Sequence, residues 1–293
     1  MMVVSPQSVE TEPGQRCAAT PRLPRLLPRQ VLTGLCACIA VLLCGYVATV
    51  AVRLITTHHL LFGLVHLLDL DEEANIPTYF SVVQFNIAAC LLWMIGAHAR
   101  SQADRYARHW LALAVVFLFL GLDELAQIHE LVGVHLRVTQ HLSGALSNAW
   151  VMPYAVLVLL VGWAYVRFLA YLPARSRALM ILSAVIYVGG AAGLEMYGGY
   201  LTTQLGGQAA ADNSLRYLTE VFFEEGMEMF GIALFIYALL DCIQATTGRI
   251  RINVGPAPAA SPEQELDATG ALQILQLGER TTRRTSESYL TAP

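Results

Sequence analysis

Residues 122–130, LDELAQIHE, gather Asp123, Glu124, His129 and Glu130 into about 10 Å of helix. Residues 219–229, TEVFFEEGMEM, add Glu220, Glu224, Glu225 and Glu228, and Glu195 stands in GGAAGLEMYGGY. Carboxylates joined by an imidazole form the donor set of an iron, manganese or zinc site, whereas carboxylates alone suit calcium or manganese. Asp123, Glu124, His129, Glu195, Glu224, Glu225 and Glu228 are therefore candidate ligands of a divalent metal ion. Glu130 and Glu220 are candidate general bases beside it. A metal so held activates water or oxygen. Ferritin-like di-metal bundles use glutamates with Glu-x-x-His steps. The steps here are Glu225-x-x-Glu228 and Gln127-x-x-Glu130, a chemical match and not a literal one.

Several familiar motifs fail. His129-Glu130 begins like HExxH, but position 133 is Gly and the next histidine is His135, so zincin geometry is absent. Glu224-Glu225 has no Arg or Lys at the short spacing an intramembrane glutamic protease uses. Asp69, Asp71 and Glu72 lack the glycine and spacing of a calcium loop. His58, His59 and His66 read as solvated or interfacial, and His98 and His109 as structural. For His129, a ligand or proton-relay role and a satisfied polar core position are evenly matched. Asp71, Glu72 and Glu73 read as solvated, although a loop folded over the site would recruit one of them. Gly189, Gly193, Gly198 and Gly199 read as small-residue helix packing.

The elements that must position these groups are membrane helices. The chain is 56% hydrophobic and 14% charged, where a soluble domain carries nearer a quarter charged residues. Six apolar stretches, at 30–54, 77–99, 108–136, 148–172, 177–203 and 215–247, each exceed the roughly 20 residues that cross about 30 Å of hydrocarbon. The expected fold is an all-α, polytopic bundle of six transmembrane helices over 30–247. A polar leader (1–29) and a polar tail (248–293) flank it, and 55–76 is an interfacial or re-entrant segment ending at Pro77 in the first turn of a helix. The six cysteines have no metal-ligand spacing, and all but Cys17 sit in or beside apolar runs as small core residues.

Arginine placement orients the bundle. All eighteen basic residues are arginine, and among those near the spans twelve fall on the side of the two termini against Arg53, Arg137 and Arg216 on the other. Both termini are therefore expected in the cytoplasm of a bacterial cell, in its inner membrane, with the acids near the periplasmic side. An acidic residue at a helix centre costs about 2.5–3.5 kcal/mol, less toward the interface, so four glutamates in one span must face a bundle interior. Counting about 1.5 Å per residue, Asp123 is level with Glu228, Gln127 with Glu224, Glu130 with Glu220, and Glu195 falls near His129. Asp123, Gln127 and Glu130 share a helix face on this count, as do Glu220, Glu224 and Glu228. No Arg lies in the outer halves of the spans, so protons or a bound cation must compensate this layer.

LDLDEEANIPTYFS, LDELAQIHE and EEGMEM resemble segments of an uncharacterised bacterial family of six-span membrane proteins, over approximately residues 60–245. The resemblance implies the architecture and carries no activity with it. From the residues, the favoured reading is a metal-dependent membrane enzyme, an oxidoreductase or hydrolase acting on a small-molecule or lipid substrate. The alternative is a proton- or cation-coupled transporter that uses the same acids as an ion path. A sensory or assembly role for the tail is a weaker third. The expected partner is the lipid bilayer, and nucleic acid is not one.

Overall fold

Among the described residues, six helices are long and apolar enough to cross a membrane: Pro28–Ile55, Ile76–Ser101, Ala107–Ala126, Val151–Tyr171, Ala174–Leu205 and Leu215–Ala245. The computed structural model describes residues 27–56 and 63–247, and these contain no strand. Most of the leader, His58, His59 and the tail from 248 lie outside the described residues. In chain order the helices are α1 (Pro28–Thr56), α2 (Leu64–Leu68), α3 (Ile76–Ser101), α4 (Ala107–Ala126), α5 (Ile128–Gln140), α6 (Val151–Tyr171), α7 (Ala174–Val188), α8 (Glu195–Leu205), α9 (Gln208–Ala211) and α10 (Leu215–Thr247). A π-helical turn, Gly189–Leu194, joins α7 to α8 within the fifth span.

α10 is the central helix. Buried positions make up 61% of its apolar stretch, against 11–39% in the other five spans, and it packs on α1, α3, α7, α8 and the π-helical turn. Gln84 of α3 donates through Nε2 to the carbonyl of Met229 at 3.2 Å, which ties the two helices at mid-length. At Gly231 the backbone of α7 comes so near that a Cβ would lie 2.8 Å from the amide nitrogen of Tyr187. Around α10 the apolar core falls into two clusters. One centres on Phe85, Leu92, Trp110 and Phe168, the other on Tyr46, Leu218, Val221 and Met229.

The end of the bundle away from the acids is an aromatic and arginine-bearing rim. His109 stacks on Phe168 with centroids 5.7 Å apart and planes 9° apart, and its carbonyl accepts from the Tyr165 hydroxyl, in keeping with a structural role. Arg175 pairs with Asp241 at 3.0 Å and bonds the Tyr237 hydroxyl.

One expected element differs in its bounds. The third span does not run on to residue 136: α4 stops at Ala126, Gln127 takes a left-handed conformation (φ 55), and α5 leaves as a separate amphipathic helix. Gln127 is neither Gly nor Asn, so its own backbone preference does not account for the break. The 63–75 segment packs against α1. Val65 and Leu70 are buried, and Leu68 packs on Gly45. Asn75 pins its end: the side-chain amide donates to the carbonyls of Asp69 and Glu72, and Oδ1 accepts from the amide of Thr78 to cap α3.

Candidate metal centre

Asp123 organises the turn that brings the histidine in. It is buried at the last full turn of α4. Its Oδ1 accepts from the backbone amide of His129 at 2.8 Å and from the Tyr154 hydroxyl of α6 at 3.0 Å, while Oδ2 lies 3.5 Å from His129 Nδ1. One carboxylate thus caps α5, anchors α6 and orients the imidazole. The helix face expected to align Asp123, Gln127 and Glu130 does not exist, because the chain reverses its twist at Gln127 and that side chain is exposed.

His129 faces Glu73 on its other side, with Nε2 3.3 Å from Glu73 Oε1. Trp150 meets the imidazole edge to face, with centroids 4.9 Å apart, and its indole N–H donates to Glu195 Oε1 at 3.1 Å. Burial alone would lower the imidazole, but hydrogen bonds and charge from Asp123 and Glu73 outweigh it and push His129 up to about 11. These contacts favour an imidazolium held between the Asp123 and Glu73 carboxylates. A metal bound at this histidine displaces that proton.

Glu73, His129 and Glu130 each offer a ligand atom, and these atoms all lie within 4.8 Å of one another. It is the one such trio found among the described residues. Glu73 Oε2 is buried with no hydrogen-bond partner, which leaves an acceptor lone pair for an ion or a proton. Of the seven side chains expected as ligands, only His129 belongs to the trio. Glu130, expected as a general base, stands in the trio, and Glu73 is the member of the Asp71, Glu72 and Glu73 loop that folds over the site.

The remaining acids line up behind. Glu124, Glu195, His129 and Glu73 all act electrostatically on Glu228. Glu225 is coupled to Glu228, Glu124, Glu195 and Glu73. On the other flank, Glu224 is coupled to Glu195, Glu220 and Glu228, and Glu220 to Glu224, Glu195 and Asp71. Glu220 therefore belongs to the Glu195 flank and not beside Glu130, because α5 turns away from where an unbroken span would put it. At the rim, Asp71 accepts from the Tyr217 hydroxyl at 2.6 Å. Gly198 explains how α8 and α10 approach: a Cβ there would meet Glu220 Oε2 at 2.8 Å. The pattern supports the packing role expected for this glycine.

Glu73 was legible only indirectly. The Asn75-Ile-Pro77-Thr78 string announces a capped helix start, and a loop that ends in a fixed cap holds Glu73 within two residues of a rigid element. Nothing in its own surroundings marks it as inward-facing.

The comparisons with known proteins identify the chain's family by sequence. Residues 32–243 match the family model described as domain of unknown function DUF8692, and the chain belongs to that family. No curated protein and no solved structure matches it.

Proposed function

We propose that this chain is a multi-pass membrane protein with a divalent-metal centre built on Glu73, His129 and Glu130, and that it works as a metal-dependent membrane enzyme of the hydrolase or oxidoreductase class. The trio's ligand atoms, all within 4.8 Å of one another beside a group of further carboxylates, carry the reading. Asp123 is the positioning residue behind His129, as carboxylates behind metal-bound imidazoles commonly are. Glu124, Glu225 and Glu228 supply further donors or hold the proton released when a metal binds. The metal is iron, manganese or zinc on donor chemistry. Arginine placement supports cytoplasmic termini, a bacterial inner-membrane location and a centre opening toward the periplasm.

The test is metal analysis of detergent-purified wild type beside His129→Gln, Glu73→Gln and Glu228→Gln. We expect near-stoichiometric metal in the wild type, a loss of about tenfold or more in affinity for the first two variants and a smaller loss for the third. Equal metal content in the wild type, His129→Gln and Glu73→Gln would remove the proposal, as would a metal-free protein whose melting point ignores chelators.

The π-helical turn beside Glu195 favours a second reading, since such interruptions occur often at functional sites and transporters use broken helices. A cation flux in proteoliposomes that vanishes in Glu224→Gln would select the carrier over the enzyme.

A further inference from the structure

Beside the acid layer, α8 and α10 bound a lateral groove of about 630 Å³, a size typical of small-molecule sites. On α10 its lining recurs at Leu215, Thr219, Phe223 and Met227, a step of four that follows one helix face for about 18 Å. Leu194 and Tyr197 form the opposite wall. Leu215 is 67% exposed and Phe223 55%, and on a transmembrane helix such exposure faces hydrocarbon, so the groove opens sideways into the bilayer.

Two groups at one end distinguish this groove from an ordinary lipid-facing surface. Arg216 is exposed at its mouth and has no hydrogen bond or ion pair among the described residues, although acids are abundant nearby. Glu220 lines the same groove, is only 5% exposed, and neither carboxyl oxygen has a hydrogen-bond partner. The side chain that approaches it is Glu224, itself a carboxyl, which satisfies it only by sharing a proton. A free guanidinium fits an anionic oxygen group, bidentate where that group is a phosphate. An unsatisfied buried carboxyl wants a donor.

We infer that this groove binds a phospholipid whose head group carries both a phosphate and free hydroxyls, of the phosphatidylglycerol type. The phosphate meets Arg216, a hydroxyl donates to Glu220, and one acyl chain lies along Leu215, Phe223 and Met227. An ionised fatty acid lacks the donor, and free phosphate lacks the chain. The inference rests on the membrane reading and not on the presence of a metal.

The experiment uses the full chain in nanodiscs of phosphatidylcholine alone, or of phosphatidylcholine with a minor fraction of phosphatidylglycerol, phosphatidate or oleate. Phosphatidylglycerol should raise the wild-type melting temperature by about 3–5 °C. Phosphatidate and oleate should raise it less. Arg216→Gln, an exposed change that leaves the fold intact, should lose most of the rise, and Thr219→Trp, which fills the groove, should lose all of it. No rise in the wild type, or an equal rise in Arg216→Gln, overturns the site. An oleate response equal to that of phosphatidylglycerol overturns the head-group assignment. Repeating the series after chelation, with metal content measured in parallel, separates failure here from failure of the metal centre.

Discussion

Removing the Asp123 carboxylate should unlatch α5 from the bundle. The side chain is 5% exposed and is engaged by three partners: the His129 amide, the Tyr154 hydroxyl and the His129 ring. Asp123→Ala strands the first two donors, each worth about 1–3 kcal/mol when buried and unmatched, and deprives His129 of one of its two counter-charges. Allowing for water reaching the partly exposed side of His129, the expected loss is about 3–5 kcal/mol. That is a fall of about 8–15 °C in melting temperature for a chain of this size. Asp123→Asn keeps an acceptor oxygen for the amide and the hydroxyl and loses only the charge, so it should cost about 1–2 kcal/mol. Thermal unfolding in detergent provides the ranking. A cycle with Tyr154→Phe should yield a coupling of about 1 kcal/mol between the two side chains. If Asp123→Ala melted within a degree or two of Asp123→Asn, the carboxylate would not be the latch described here.

Two further substitutions probe the frame around the centre. Gly231→Ala places a methyl 2.8 Å from the Tyr187 amide nitrogen and must push α7 away from α10, costing about 2–4 kcal/mol. Gly162→Ala in α6 meets nothing within 4 Å and should leave the melting temperature unchanged or raise it slightly. Arg53 pairs with Asp69 at 3.5 Å and bonds the Asp212 carbonyl. Burial raises the Asp69 carboxyl above its ordinary range, while the Asp71 amide and Arg53 hold it back. The folded state thus binds the Asp69 proton more tightly than the unfolded chain, and that stability is lost as pH rises from about 4 through the raised value. Arg53→Gln removes a restraint and should lose about 1–3 kcal/mol more at pH 8 than at pH 4.5. Melting curves at the two pH values that fall by the same amount would refute it.

Hydropathy and spacing made the frame readable. Six apolar runs became six membrane-length helices, and the carboxyls of Glu124 and Glu195, from two other spans, lie near enough to act electrostatically on Glu225 and Glu228. What periodicity cannot register is a break that no residue announces. LDELAQIHELVGVHL is periodic throughout, and the left-handed Gln127 exists because Asp123 captures an amide six residues on. Glu73 escaped for a related reason. Its place follows from a loop folded onto α1 and pinned by Asn75, and loops carry no period that encodes direction. Counting rise per residue applies only within an unbroken helix, so it could not follow the chain past Gln127.

The central place of α10 bears on how the molecule is made. Glu220, Glu224, Glu225 and Glu228 together would cost up to about 14 kcal/mol in lipid, more than one helix's apolar residues comfortably offset. α10 also leaves the ribosome after the other five described spans. It cannot be expected to settle in the bilayer alone and then dock. It has to enter against a cleft already framed by α1, α3, α7 and α8, with its glutamates passing directly to the polar lining. Biogenesis should accordingly stall at five spans whenever that cleft is disturbed, leaving a chain whose C-terminal helix stays outside the membrane for quality-control proteases to find.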